Sequence, residues 1–73
     1  MDPLNSTIET NFRTHVLTPE QQGQLDDYRA AVRALAYVID ASVPPGREKS
    51  LALTNLEQVM FWGGAGIARH GGA

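Results

Sequence analysis

The side chains able to grip a charged ligand are few in this 73-residue chain, and most of them are arginines. Arg29 and Arg33 stand one helical turn apart, a spacing at which two guanidinium groups can close on one phosphate. The competing reading is ion pairing with Asp26, Glu57 or water, the usual state of exposed charges. Phe12 and His15 lie in an otherwise polar arm ahead of Thr18. They can stack on a nucleobase, a contact worth ~1–3 kcal/mol, or simply anchor the arm to the core. Trp62, beside Gly63 and Gly64, has the same two readings, with core or subunit interface favoured. Arg47 and Lys49 open a second helix, at the end where the dipole opposes cations. A bound anion would relieve that conflict, and the neighbouring Glu48 relieves it more simply.

Catalytic chemistry finds little support. Cysteine is absent, which removes disulfides, thiolate nucleophiles and cysteine-ligated zinc. His15 and His70 are the only imidazoles, in no metal-binding spacing, and no nucleophile–base pair or paired-carboxylate set stands out. The expectation is therefore a binding protein, neither an enzyme nor the holder of a metal or cofactor.

Seventy-three residues make one small domain, and scaffolds of this size usually need a disulfide, a metal or a partner chain to hold them together. With no cysteine, assembly of several copies is the expected solution. The net charge of −2 argues against a general nucleic-acid coat, although its distribution is uneven. Residues 1–28 carry one cation against five acids, whereas residues 29–73 carry five cations against three acids. No apolar run reaches the ~18 residues of a membrane span and no signal-peptide pattern opens the chain, so a soluble cytoplasmic protein is expected.

The elements that must position these side chains are helical. Thr18-Pro19-Glu20-Gln21 reads as a helix start with a capping box, a proline at the first helical position and an acid at the positive dipole end. Leu25, Tyr28, Val32, Leu35 and Ile39 then recur at spacings of 3, 4, 3 and 4, one apolar stripe along a helix over about 18–41. Ser42-Val43-Pro44-Pro45-Gly46 predicts a stiff turn over 42–46. A second helix follows over about 47–69, with Leu53, Leu56, Met60, Gly63 and Ile67 at the same spacings and a second row of Ala52, Val59 and Gly66. The arm, 1–17, is expected to hold no more than a short helix capped by Ser6 or Thr7, and residues 70–73 read as a loose tail. The fold class is thus all-α, a single antiparallel two-helix hairpin domain with a short arm. Its second apolar row asks for another subunit to cover it.

Glycines in a helix cost ~1 kcal/mol each relative to alanine, so the run around Gly63, Gly64 and Gly66 calls for close backbone approach or for a helix that frays after Trp62. A hairpin folded about residues 43–44 sets position i opposite roughly 87−i. That places Trp62 near Leu25 and Arg69 near Thr18, and brings Phe12, Arg13 and His15 beside Arg69 and His70 at the open end.

Four stretches carry a resemblance to a known family: Phe12-Arg13-Thr14-His15, Tyr28-Arg29-Ala30-Ala31-Val32-Arg33-Ala34-Leu35-Ala36, Pro45-Gly46-Arg47-Glu48-Lys49-Ser50-Leu51-Ala52-Leu53, and Leu56-Glu57 through Met60-Phe61-Trp62 to Ile67-Ala68-Arg69. Together, over residues 11–69, they resemble the helical-hairpin domain of the phage cyclic-nucleotide sponges, the anti-CBASS and anti-Thoeris proteins. The resemblance implies a non-enzymatic homohexamer in the cytoplasm of the infected bacterium. Its subunit interfaces would sequester cyclic di- or trinucleotides, or glycocyclic ADP-ribose, and so keep host immune effectors inactive. It also implies that Phe12 stacks on a base and that Arg29 holds phosphate, with helix-two contacts near Arg47 and in the segment from Trp62 to Arg69. The chain departs from the family where Thr14, Val16 and Leu17 replace a tyrosine and prolines, and where Gly64 replaces an asparagine, which bears on ligand choice.

The expected ligand set is therefore Phe12, Arg13, His15, Arg29, Arg33, Arg47, Trp62 and Arg69, with cyclic oligonucleotides and further copies of the chain as partners and neither membrane nor duplex nucleic acid. The alternative is a small oligomeric helical adaptor that binds protein, its arginines solvated. A DNA-binding accessory role fits the net charge poorly.

Overall fold

The computed structural model describes Ile8, Phe12 and residues 16–70. Two antiparallel helices, α1 (Pro19–Ser42) and α2 (Arg47–His70), pack along each other, and no strand occurs among the described residues. Each has 24 residues, or roughly 36 Å of helix axis. The bounds lie within a residue of those expected. Ile8 and Phe12 have helical backbone, whereas the rest of the arm before residue 16 lies outside the described residues.

The start of α1 is the capping box read from the sequence. Gln21 N donates to Thr18 Oγ1 at 3.1 Å, and Thr18 N donates to Gln21 Oε1 at 2.9 Å, with Pro19 at the first helical position. Gln21 does a second job: its Nε2 donates to Ile67 O at 3.2 Å, which ties the first turn of α1 to the last turns of α2. At the other end Val43 N donates to Ile39 O, and the chain turns through Pro44 and Pro45. Gly46, at φ +155°, occupies backbone space that favours glycine, and its carbonyl accepts the first bond of α2 from Ser50 N.

The last turn of α1 contains no basic residue, and α2 supplies one. Lys49 Nζ donates to Asp40 O at 2.8 Å and pairs with Asp40 Oδ1 at 3.0 Å. A cation thus meets the negative end of the α1 dipole. The tension expected for Lys49 in the first turn of α2 is resolved by the neighbouring helix rather than by a bound anion.

The hairpin register is fixed by Tyr28. Its hydroxyl donates to Val59 O at 2.5 Å, and its ring lies where a side chain on residue 63 would stand: a Cβ built on Gly63 would overlap the phenol and come within 2.7 Å of Cε1. Leu25 lies beside Gly64 at a looser distance, with a Cβ there at 3.4 Å from its Cδ1. Close approach therefore explains Gly63, whereas residue 64 would accommodate a Cβ in ordinary contact with Leu25. A Cβ on Gly66 would meet nothing within 4 Å in this chain, so no contact within the hairpin requires that glycine. The helix also continues unbroken to His70, which removes fraying after Trp62.

Leu25, Val32 and Leu56 form the buried apolar core. Leu35, although on the expected stripe, is 48% exposed, and so is Val59 of the second row of α2. With Tyr37, Val38, Leu51, Phe61 and Trp62 also exposed, the hairpin carries more apolar surface than its two helices cover.

Candidate functional site: a cationic groove along the hairpin

Two concavities lie side by side on one flank of the hairpin and share Arg29, Glu57 and Met60, so that they form one groove. The lobe toward the turn, about 520 Å³, is bounded by Arg29 and Arg33 over an apolar floor that includes Val32, Leu53 and Leu56. The lobe toward the open end, about 480 Å³, is bounded by Phe61 and floored by Leu25, Gly64 and Ala65. The small floor residues follow from the close packing of α2 on α1, because a larger side chain at 64 would fill the space beside Leu25.

Arg29 and Arg33 project from successive turns of α1 into the same lobe. Among the described residues no carboxylate lies within ion-pairing distance of either, and the one ion pair is Lys49 with Asp40. Asp26, the nearest acid in sequence, accepts instead from Gln22 Nε2 at 2.9 Å. Pairing with Asp26 or Glu57, considered for these arginines, is thus not observed, and both stand exposed to solvent, the other state considered. Two unpaired guanidinium groups over an apolar floor can take a ligand that is anionic on one side and flat and apolar on the other.

Of the other expected ligand residues, none of those described, Phe12, Arg47, Trp62 and Arg69, lines this groove. Arg47 is exposed at the turn end, and Arg69 is half-buried at the open end, 22 residues and roughly 33 Å of helix axis away. One chain cannot place both on one small ligand. Phe12 is 84% exposed, its ring turned to water, and Arg13 and His15 lie outside the described residues.

Of the two places favoured for Trp62, hairpin core or subunit interface, the structure excludes the first. It is 61% exposed, stacked edge-on against Phe61 at 5.0 Å between ring centroids, with Nε1 donating to Gln58 Oε1 at 3.2 Å. The register places residue 62 level with Leu25, but the face that meets Leu25 belongs to Gly64. Tyr28 occupies the space above Gly63, and residue 62, about 100° round the helix from residue 63, lies off the face that meets α1.

Sequence reasoning missed Glu57, Met60 and Phe61 as groove residues. A signal for Glu57 did exist: positions in register sum to about 87, which sets 57 opposite 30, between Arg29 and Arg33. Among the described residues no group of three His, Asp or Glu side chains is placed to hold a metal ion, and no helix is long and apolar enough to cross a membrane.

Fold and groove together define a small helical hairpin with a groove that sets Arg29 and Arg33 over an apolar floor. A family model described as Acb2/Tad1, hairpin domain, matches residues 4–68, and the chain belongs to that family, the anti-CBASS and anti-Thoeris sponges. At family level membership implies a phage anti-defence protein that binds cyclic nucleotides. Comparison with curated proteins and with solved structures finds no match.

Proposed function

We propose that this chain is a non-enzymatic sponge that binds cyclic oligonucleotide messengers and withholds them from the immune effectors of the infected bacterium. The ligand class is cyclic dinucleotides and trinucleotides, with glycocyclic ADP-ribose as a further member. The observation that carries the reading onto this chain is the pair of unpaired guanidinium groups, Arg29 and Arg33, over the apolar floor of one groove in a member of the sponge family. A phosphate takes the guanidinium fork and a base lies on the apolar floor. Phe12, with its ring in water, is suited to close on a base once ligand is present.

The working unit in this reading is a homo-oligomer, a hexamer by family resemblance. The exposed Leu35, Val59, Phe61 and Trp62 and the vacant space at Gly66 support burial against another copy. Assembly would also let Arg47 of one copy and Arg69 of another approach the same ligand, which a single chain forbids.

Titration calorimetry against a panel of cyclic di- and trinucleotides and glycocyclic ADP-ribose tests the proposal. Saturable binding of at least one, weakened by Arg29→Ala, is expected. A silent panel would favour the protein-binding adaptor.

A further inference from the structure

Glu57 is the feature of the groove that phosphate binding leaves unexplained. It lines both lobes, across from Arg29, yet among the described residues it pairs with neither arginine. A ligand offering only phosphate would meet this carboxylate as a repulsive wall, and a purely apolar ligand would leave all three charges unused. The groove is complementary to a molecule that carries anionic oxygens at one point and a row of hydrogen-bond donors at another.

From this we infer that Glu57 is a specificity-determining residue that reads the Watson–Crick edge of guanine and biases the groove toward guanine-containing cyclic dinucleotides. The inference rests on the sponge reading and sharpens its ligand class. A carboxylate only accepts hydrogen bonds, and guanine presents two adjacent donors, N1–H and the exocyclic amino group, which a carboxylate can take in a bidentate pair. Adenine offers its exocyclic amino group beside the N1 lone pair, so one carboxylate oxygen would face another acceptor. Uracil and thymine offer a single N–H flanked by carbonyls. The side-by-side lobes suit this arrangement, because Arg29 and Glu57 stand at their junction, where a phosphate and the edge of the attached base lie within one nucleotide of each other. The Met60 thioether, also at the junction, offers a polarizable surface to the ring.

The test is calorimetric titration of the purified protein and of Glu57→Gln with cyclic di-GMP and with cyclic di-AMP. The parent should prefer cyclic di-GMP by about 5- to 150-fold, the range of one bidentate base contact. Glu57→Gln should remove most of that preference, by weakening cyclic di-GMP while leaving cyclic di-AMP unchanged or tighter, since a negative charge near phosphate has gone. Arg33→Ala should weaken both dinucleotides together. Because Glu57 is exposed, the isosteric glutamine leaves the hairpin intact, and the parent's own preference tests the inference without any variant. Binding of the panel with no guanine preference, or a preference unchanged by Glu57→Gln, overturns the assignment and leaves the sponge reading standing. No binding by any cyclic nucleotide overturns both.

Discussion

Gly63→Ala is the substitution whose outcome depends most sharply on how the two helices meet. Alanine in a helix interior gains ~1 kcal/mol over glycine, so propensity alone predicts a more stable protein. At this site the new methyl would stand inside the Tyr28 phenol, whose hydroxyl is bonded to Val59 O at 2.5 Å. The ring must swing away, which forfeits a hydrogen bond worth ~0.5–1.5 kcal/mol and adds an overpacking penalty of ~1–3 kcal/mol. The net is a destabilisation of about 0.5–3.5 kcal/mol, or about 2–28 °C in melting temperature for a chain of this size. Thermal unfolding followed by far-ultraviolet circular dichroism, at one fixed protein concentration, measures it. The double-mutant cycle isolates the cause: with Tyr28→Ala already present, Gly63→Ala should be neutral or stabilising, a coupling of ~1.5–4.5 kcal/mol between the two positions. A melting temperature that rises equally in both backgrounds would refute the claim that Tyr28 occupies the space above Gly63.

The remaining predictions concern the other glycines and the ligand. Gly23→Ala, where a Cβ would meet nothing within 4 Å, should raise the melting temperature by about 4–8 °C per kcal/mol through helix propensity alone. Gly66→Leu meets no atom of its own chain, so a lowered oligomer mass by light scattering or a lowered melting temperature would place another copy there. A raised melting temperature with unchanged mass would argue against an interface at that point. Arg29→Ala should weaken cyclic-nucleotide binding by roughly 10- to 150-fold, for a charged hydrogen bond worth ~1.5–3 kcal/mol. Phe12→Ala should cost a similar ~1–3 kcal/mol through lost stacking. Neither variant should alter the ligand-free melting temperature, since both side chains are exposed; equal affinity for parent and both variants in calorimetry would locate the site elsewhere.

The hairpin was legible in the sequence because its determinants are local. The Thr18–Gln21 capping box, the paired prolines and the apolar spacings each act within a few residues, and each recurs in the structure. The limits of the stripe were less legible. A single partner helix covers Leu25 and Val32, one heptad apart, whereas Leu35 falls on the flank and stays exposed. The inward orientation of Gly63 was legible from its place on the stripe with Leu53, Leu56, Met60 and Ile67, but the group that fills its space was not, because Tyr28 reaches it from the other helix, 35 positions away in sequence. Arg29 and Arg33 were recognisable as a pair from spacing, but their lack of partners required the structure to show Asp26 engaged by Gln22. Glu57 is the instructive omission. Charge type suggested only a neutralising partner, and its place as the opposite wall of the groove emerges from the hairpin register.

The most direct test of the account is capture and release. The protein is mixed with a panel of cyclic oligonucleotides, separated from free ligand, heat-denatured, and the supernatant is read by mass spectrometry. The account predicts that at least one cyclic nucleotide is retained in stoichiometric amount, is recovered chemically intact after denaturation, and is lost from the retained fraction of Arg29→Ala. Retention of none of them, or recovery of a linearised or hydrolysed product, would contradict it.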